Sequence, residues 1–382
     1  MYKNFLIFCG IFIALVSAYL YKNLLPKRTL ITPYPYYFSE NFQKEFPLKN
    51  AEALNNAQKS KILILGDDMG LSLNPYLPTL LEEFKTSLKT PPVIYNWSEK
   101  NEGLHRTLFK IKQLKKLPPI ILYFGAGSEL AEKTFSVVDR DALFYNFNQY
   151  DNEKIISLII TFPLLSKYFY KNINYVEIDQ YTEYKSFEAS SLKLVEKEIS
   201  FKLFDYQLRE LIDYVKENKS QIIFVTTPLN LLAPPKEVCA HSSSDKIVEY
   251  QQEIEKELNE GAFKVAFPKI QELSEVSYAN AQTFYLLGKS AIGVGDQKLA
   301  RESLLKANAF DCLNWRGNSI YNAILKSQAK KNQLELIDFE QLMSSNLEAE
   351  NFFDEIFPQN IFYQSIMKDL TEMLKKILSL NQ

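Results

Sequence analysis

Short apolar runs recur along the chain, separated by amphipathic stretches. Residues 61–66 (KILILG), 93–96 (VIYN), 120–124 (IILYF), 221–226 (QIIFVT) and 334–339 (LELIDF) are apolar almost throughout. Continuous apolar runs of this length are expected of strands covered on both faces, as in a parallel sheet; a sheet open on one side alternates instead. Segments of helical period fall between and after them, at 73–88, 104–114, 204–217 and 359–380. The alternation predicts a three-layer α/β/α sandwich with about five parallel strands. Ligands in such sheets lie beyond the carboxyl ends of the strands, so that edge is where chemistry is sought.

Two stretches break the alternation. Residues 129–200 mix aromatics with charges, and within them 155–170 is apolar enough for a buried or surface-inserted helix, interrupted by Pro163. Residues 248–331 are helical in pattern throughout. There Tyr285-Leu286-Leu287-Gly288-Lys289-Ser290-Ala291, then Gly295-Asp296 and Ala300, Leu304 and Ala307, match the small/large spacing of a tetratricopeptide (TPR) helical hairpin. A single unit does not stack alone, so it is expected to lean on the main domain or on a helical pair at 247–275.

The N-terminus carries an uncharged apolar run at 5–21, with Lys3 before it and Lys22, Lys27 and Arg28 after it. As a helix it would be about 25 Å long, marginally enough to span a bilayer. It reads either as a signal peptide, with small residues at Val16-Ser17-Ala18, or as a retained anchor. The excess of Lys and Arg after the run favours a cytoplasmic domain, whereas the cleavage-like site and the cysteine pattern favour export. The expected layout is 1–24 signal peptide or anchor and 25–58 linker. An α/β domain at 59–247 and 332–382 follows, with 248–331 inserted. The domain is expected outside the cytoplasm, tethered to the membrane or secreted.

Composition narrows the chemistry. A net charge of −2 over 382 residues, with no basic stripe, gives no footprint for nucleic acid. Only two histidines, His105 and His241, are present. No His-rich metal site can be built, and any Ser-His-Asp triad must use one of the two; a lone histidine is more often a core or surface residue. Cys9 lies in the apolar run without a lipobox before it. Cys239 and Cys312 remain, and a disulfide between them is expected, with two buried thiols as the alternative.

The turn after the first strand, Gly66-Asp67-Asp68-Met69-Gly70, resembles block I of the SGNH (GDSL-type) hydrolases, which reads Gly-Asp-Ser. Further blocks follow in order. Asn96-Trp97-Ser98 stands where the family carries an oxyanion-hole Gly, and Gly125-Ala126-Gly127-Ser128-Glu129 where it carries Gly-x-Asn-Asp. Asp354-Glu355-Ile356-Phe357-Pro358 stands where it carries Asp-x-x-His-Pro. The resemblance implies a flavodoxin-like sheet. It also implies a nucleophile position at Asp68, a triad aspartate at Asp354, a histidine position filled by Phe357, and a ligand edge containing Asp67, Ser98, Gly127 and Ser128. Asn230, in the loop after the fourth strand, is a further candidate contact.

Acyl transfer through serine needs a hydroxyl, a base within about 3 Å and donors for the oxyanion. Asp68 is already ionised and Phe357 accepts no proton, so the resemblance implies a pseudo-enzyme that binds a glycan or a protein partner of the cell envelope, without metal or cofactor. Three alternatives stand beside it. One is an esterase or O-acyltransferase on surface polysaccharide using displaced residues, with Asp68 as nucleophile and His105 or His241 as base. Another is an oxygen-rich cation site of Asp67, Asp68, Glu129 and Asp354. The third is a TPR-mediated interaction scaffold. Asp67 and Asp68 as plain helix caps fit every reading.

Overall fold

The computed structural model describes residues 12, 16, 51–129, 135, 139–162, 165–171, 190–236, 238, 245–313 and 316–380. Five parallel strands form one sheet: β1 (Ile62–Gly66), β2 (Ile94–Asn96), β3 (Ile120–Phe124), β4 (Gln221–Val225) and β5 (Glu335–Ile337). Their order is β2-β1-β3-β4-β5, the flavodoxin-like arrangement that the sequence predicts. In register, Gly66 stands opposite Phe124, and Phe124 opposite Val225, so three strands end level with one another.

Side chains alternate across the sheet, and both faces are dry. Ile62, Ile64, Ile120, Leu122, Phe124, Ile223 and Val225 join one core with Phe84 of the helix Leu77–Ser87 and Leu370 and Leu374 of the helix Asn360–Leu380. Leu63, Leu65, Ile121, Tyr123, Ile222 and Phe224 point to the other face and are equally buried. That face is covered by the helices Leu104–Lys112, Ser190–Glu217 and Ser319–Asn332. This makes the three layers.

Element ends differ from the sequence pattern for local reasons. The expected helix at 73–88 begins with a 3-10 turn, Asn74–Tyr76, because a regular helix from 73 would need Pro78 to donate an N–H to Asn74 O, and proline has none. The fifth strand stops at Ile337, since Asp338 caps the helix Phe339–Ser344 by accepting from Gln341 N at 3.0 Å. The helix expected at 204–217 is twice as long, Ser190–Glu217. Residues 51–59, placed mostly in a linker by the sequence, form a helix with Ala53 and Ala57 buried; an apolar face made of alanine is too weak a signal to read.

The chain divides into two units, Met1–Tyr37 with Phe135–Val176, and Phe38–Thr134 with Glu177–Gln382. The first contains the helices Arg140–Asp151, Glu153–Thr161 and Ser166–Phe169. Within it, Asn152 caps the second helix through Lys154 N and Ile155 N, and the Asn146 amide holds both backbone groups of Lys171. The second unit holds the sheet and four consecutive helices, Asp245–Asn259, Phe263–Val276, Ala281–Val294 and Gln297–Phe310. Gly288 permits the close approach of the last two: a Cβ there would stand 2.5 Å from Leu304 Cγ.

Cys312 is disulfide-bonded; Cys239 and Cys9 lie outside the described residues, as do His241 and nearly all of 1–24. Among the described residues no helix is long and apolar enough to cross a membrane.

Candidate functional site

The tips of β1 and β3 meet at the point where the strand order reverses, the usual ligand position in this topology. Gly66 ends β1 at φ +147°, and a Cβ there would lie 1.8 Å from Phe124 O. Only glycine fits both the conformation and the space. The next residue, Asp67, is fully buried. Its Oδ1 accepts from Met69 N at 2.9 Å, capping the helix Asp68–Leu71, and its Oδ2 accepts from Gly127 N at 2.8 Å. Ala126, at φ +72°, turns the loop after β3 so that Gly127 N faces β1. Burial raises the Asp67 carboxyl to about 7 against these two hydrogen bonds, with Asp68 and Glu102 adding repulsion. Asp67 is therefore a strut across the switch point.

Asp68, at the expected nucleophile position, is half-buried, and its Oδ2 accepts from Asn101 N at 2.9 Å. Ser98 is buried, and its Oγ has no hydrogen-bond partner among the described residues. It packs so closely on Gly70 that a Cβ at 70 would lie 2.2 Å from it. Asn96 stitches the same corner, donating to Gly70 O and Asn74 Oδ1 at 2.8 Å each and accepting from Ser98 N. Gly127 and Ser128 are half-buried in the loop after β3.

On the other side, the segment 352–358 folds back on itself. Phe353 N donates to Phe357 O at 2.8 Å, and Phe352 bridges Pro358. Asp354, exposed, turns its Oδ1 to Ile356 N and Phe357 N at 2.7 and 2.6 Å. Phe357 packs against the core that holds β1 and β3. Asn230 links the loop after β4 to this segment: its Nδ2 lies 3.4 Å from Asp354 O, while its own carbonyl accepts from the Arg316 guanidinium at 2.5 Å. Asp68 and Asp354 are thus both engaged by backbone N–H groups near their own strand or hairpin.

A charged network underlies the loop after β2. Lys110, fully buried, donates to Glu102 Oε2 at 2.7 Å and to Trp97 O, lies 3.4 Å from Glu99 Oε1, and sits 4.9 Å from the Trp97 ring centroid. Thr107 Oγ1 also donates to Glu102, at 2.6 Å. Burial still raises the Glu102 carboxyl above its ordinary range. Of these residues only Trp97 stands in a motif that the sequence offers; nothing in the sequence marks Lys110, Thr107, Glu99 or Glu102.

Beside the network is a small cleft with room for about one water, lined by His105, Glu129, Ser200, Phe204 and Gln207 among others. A serine, a histidine and a glutamate meet there, yet their hydrogen bonds do not form a relay. Ser200 Oγ bonds the Tyr321 hydroxyl at 2.6 Å, His105 Nδ1 lies 3.4 Å from Gln207 Nε2, and Glu129 accepts from Leu104 N at 3.0 and 3.2 Å. Burial, then Lys112 and Arg106, hold His105 down to about 3, so the ring is neutral and a weak base. His105 is a core histidine.

No family model matches the sequence, and no curated protein matches it. Among solved structures it is similar to a Bacteroides fragilis protein described as a "putative acylhydrolase", at 12% identity and a TM-score of 0.35, over 86% of this chain and 96% of that one. A likeness that faint carries no argument about function.

The cation-site alternative is not assembled: among the described residues no group of three or more His, Cys, Asp or Glu is placed to hold a metal ion. Asp67, Asp68, Glu129 and Asp354 each face different backbone donors. What the edge leaves reachable is Asp68, Gly127, Ser128, Asn230 and the exposed rim of Phe353 and Asp354; Asp67 and Ser98 are sealed beneath it.

Proposed function

We propose that this chain is a hydrolase-like α/β protein that binds a ligand at its strand tips without hydrolysing it. One observation carries the reading. The position resembling the SGNH nucleophile holds Asp68, whose carboxylate is engaged by Asn101 N, and the position resembling the histidine holds Phe357, a half-buried residue packed against the core. A carboxylate tied to an amide and an aromatic ring cannot exchange a proton, and losing interdependent parts of a triad removes nearly all its advantage. The ligand in this reading is a glycan or a protein of the cell envelope. The domain works outside the cytoplasm, held by the segment at 5–21 or released from it.

An ester-substrate panel assayed with the wild type and Asp68→Ala tests this. Neither should turn over any ester above the buffer rate. Turnover in the wild type that the substitution abolishes would replace the binding reading with a carboxylate-nucleophile esterase or acyltransferase.

A second reading rests on the helical hairpins as TPR-like contact surfaces. Val265, Val276 and Tyr278 stand exposed on them, at 53%, 68% and 77%. Val276→Glu with Tyr278→Glu should then reduce partner recovery from the native source while leaving the thermal midpoint unchanged; equal recovery counts against the hairpins as the contact surface.

A further inference from the structure

Exposed apolar side chains are not spread evenly over the chain. The unit that contains Phe135–Val176 supplies a small fraction of the described residues, yet Tyr145, Leu158, Phe162 and Tyr168 all stand exposed on it. Single exposed apolar residues need no explanation, whereas a concentration of them marks a contact surface.

The helix Glu153–Thr161 shows how this surface is made. Its Ile159 turns inward and is fully buried. Phe162 N donates to Leu158 O at 2.9 Å, which sets the two residues one turn apart, at 56% and 38% exposure. Leu165 N donates in turn to Phe162 O at 2.8 Å, and the helix Ser166–Phe169 that follows exposes Tyr168 at 72%. The end of this segment is braced: Asn146 holds both backbone groups of Lys171, and the Lys171 ammonium lies 4.6 Å from the Tyr145 ring centroid.

Charge decides what covers such a surface. From 154 to 171 the charged residues are Lys154, Lys167 and Lys171, with no Asp or Glu among them. Apolar groups bordered by cations alone repel a second copy of the same face. They match a bilayer surface, where apolar side chains enter the acyl boundary and lysines reach anionic headgroups. The run at 5–21, in the same unit, has the same make-up, with no charge inside it and Lys3, Lys22, Lys27 and Arg28 around it. Its Phe12 and Val16 are helical, exposed and four residues apart, so they share one side of a helix.

We propose that Leu158, Phe162 and Tyr168 form a second membrane contact, in addition to the run at 5–21, which lays this unit on an anionic lipid surface. The inference rests on the reading of that run as a membrane segment, and on no ligand at the strand tips.

The full-length chain carrying Phe162→Trp, mixed with vesicles of phosphatidylcholine and phosphatidylglycerol, tests this. Flotation of the vesicles reports whether the chain binds at all. Lipids brominated near to or far from the headgroup report where residue 162 sits, and the wild type, with Trp97 and Trp315 alone, sets the background. The added indole should lose about half its emission to the shallow bromines and less to the deep ones, as expected about 5–10 Å into the headgroup and acyl boundary. Tyr168→Trp should behave alike; both positions are exposed, so neither exchange disturbs packing. A chain that floats while either indole stays at background overturns the contact and leaves the run at 5–21 as the tether. A chain that does not float overturns both. Deep bromines that quench as strongly as shallow ones overturn the interfacial placement. Indole emission that shifts with protein concentration in the absence of vesicles gives the face to a second copy, and overturns the proposal as well.

Discussion

The side-chain amide of Asn322 exchanges two hydrogen bonds with the backbone of Thr227: Thr227 N donates to Oδ1 at 2.9 Å, and Nδ2 donates to Thr227 O at 2.8 Å. The pair imitates a further rung of the sheet just past the end of β4, with both residues buried. Thr227 in turn donates through Oγ1 to Gly125 O, so a side chain on the helix Ser319–Asn332 sets the height of the loop that reaches Asp67.

Replacing Asn322 by Ala leaves a buried N–H and a buried C=O without partners. Each such group costs about 1–3 kcal/mol, so urea unfolding of Asn322→Ala should show a loss of roughly 2–5 kcal/mol. A loss below about 1 kcal/mol would mean that the rung is dispensable.

Gly66→Ala should fail more severely. The added methyl meets Phe124 O at 1.8 Å, and alanine does not adopt φ +147° without strain. A destabilisation above about 4 kcal/mol is expected, a size reserved for few mechanisms. Soluble yield and thermal midpoint against Gly261→Ala, where a Cβ meets nothing within 4 Å and only the φ of +77° is strained, make the comparison.

The fold was largely legible because its signal is additive: five apolar runs and the helices between them need no long-range knowledge. The helix Ser190–Glu217 was half missed for a physical reason. Its inward face carries Glu196, Lys197, Ser200, Gln207 and Glu210, all buried, so polarity did not mark its outer side. The Gly66-Asp67-Asp68 turn was visible, and the capping that the sequence allowed for falls to Asp67. Asp67 spans the switch point, while Asp68 takes the neighbouring amide. Lys110, Asn322 and Glu129 act through partners 8, 95 and 25 residues away; no local spacing encodes such pairings.

Lys110→Met should cost about 3–5 kcal/mol, since it strands Glu102 without its cation in a dry site. Lys110→Met with Glu102→Gln should recover most of that loss. Chemical denaturation of the two single variants and the double variant gives the coupling; a double variant as weak as the sum of the singles would refute a paired origin.

Asp67 gives stability an inverted pH dependence. Its carboxyl titrates at about 7 when folded and near 3.8 when unfolded. Between those values the folded chain holds a proton that the unfolded chain has lost. The contribution is complete below about pH 4 and disappears as pH rises through 7, a change of about 4 kcal/mol. Asp67→Asn cannot titrate, although its amide nitrogen cannot accept from both Met69 N and Gly127 N, a fixed cost. The stability of the variant minus that of the wild type should therefore increase from pH 4 to pH 7. A difference that stays constant over this interval would show that the carboxyl is not desolvated as its surroundings imply.

The two outermost strands, β2 and β5, have three residues each, against five for the three between them. So short a border presents very few open amide and carbonyl groups to a passing chain, and lengthening the sheet by adding a foreign strand would yield little. Among the described residues the borders of the sheet are therefore poor templates for the self-pairing that leads to aggregates.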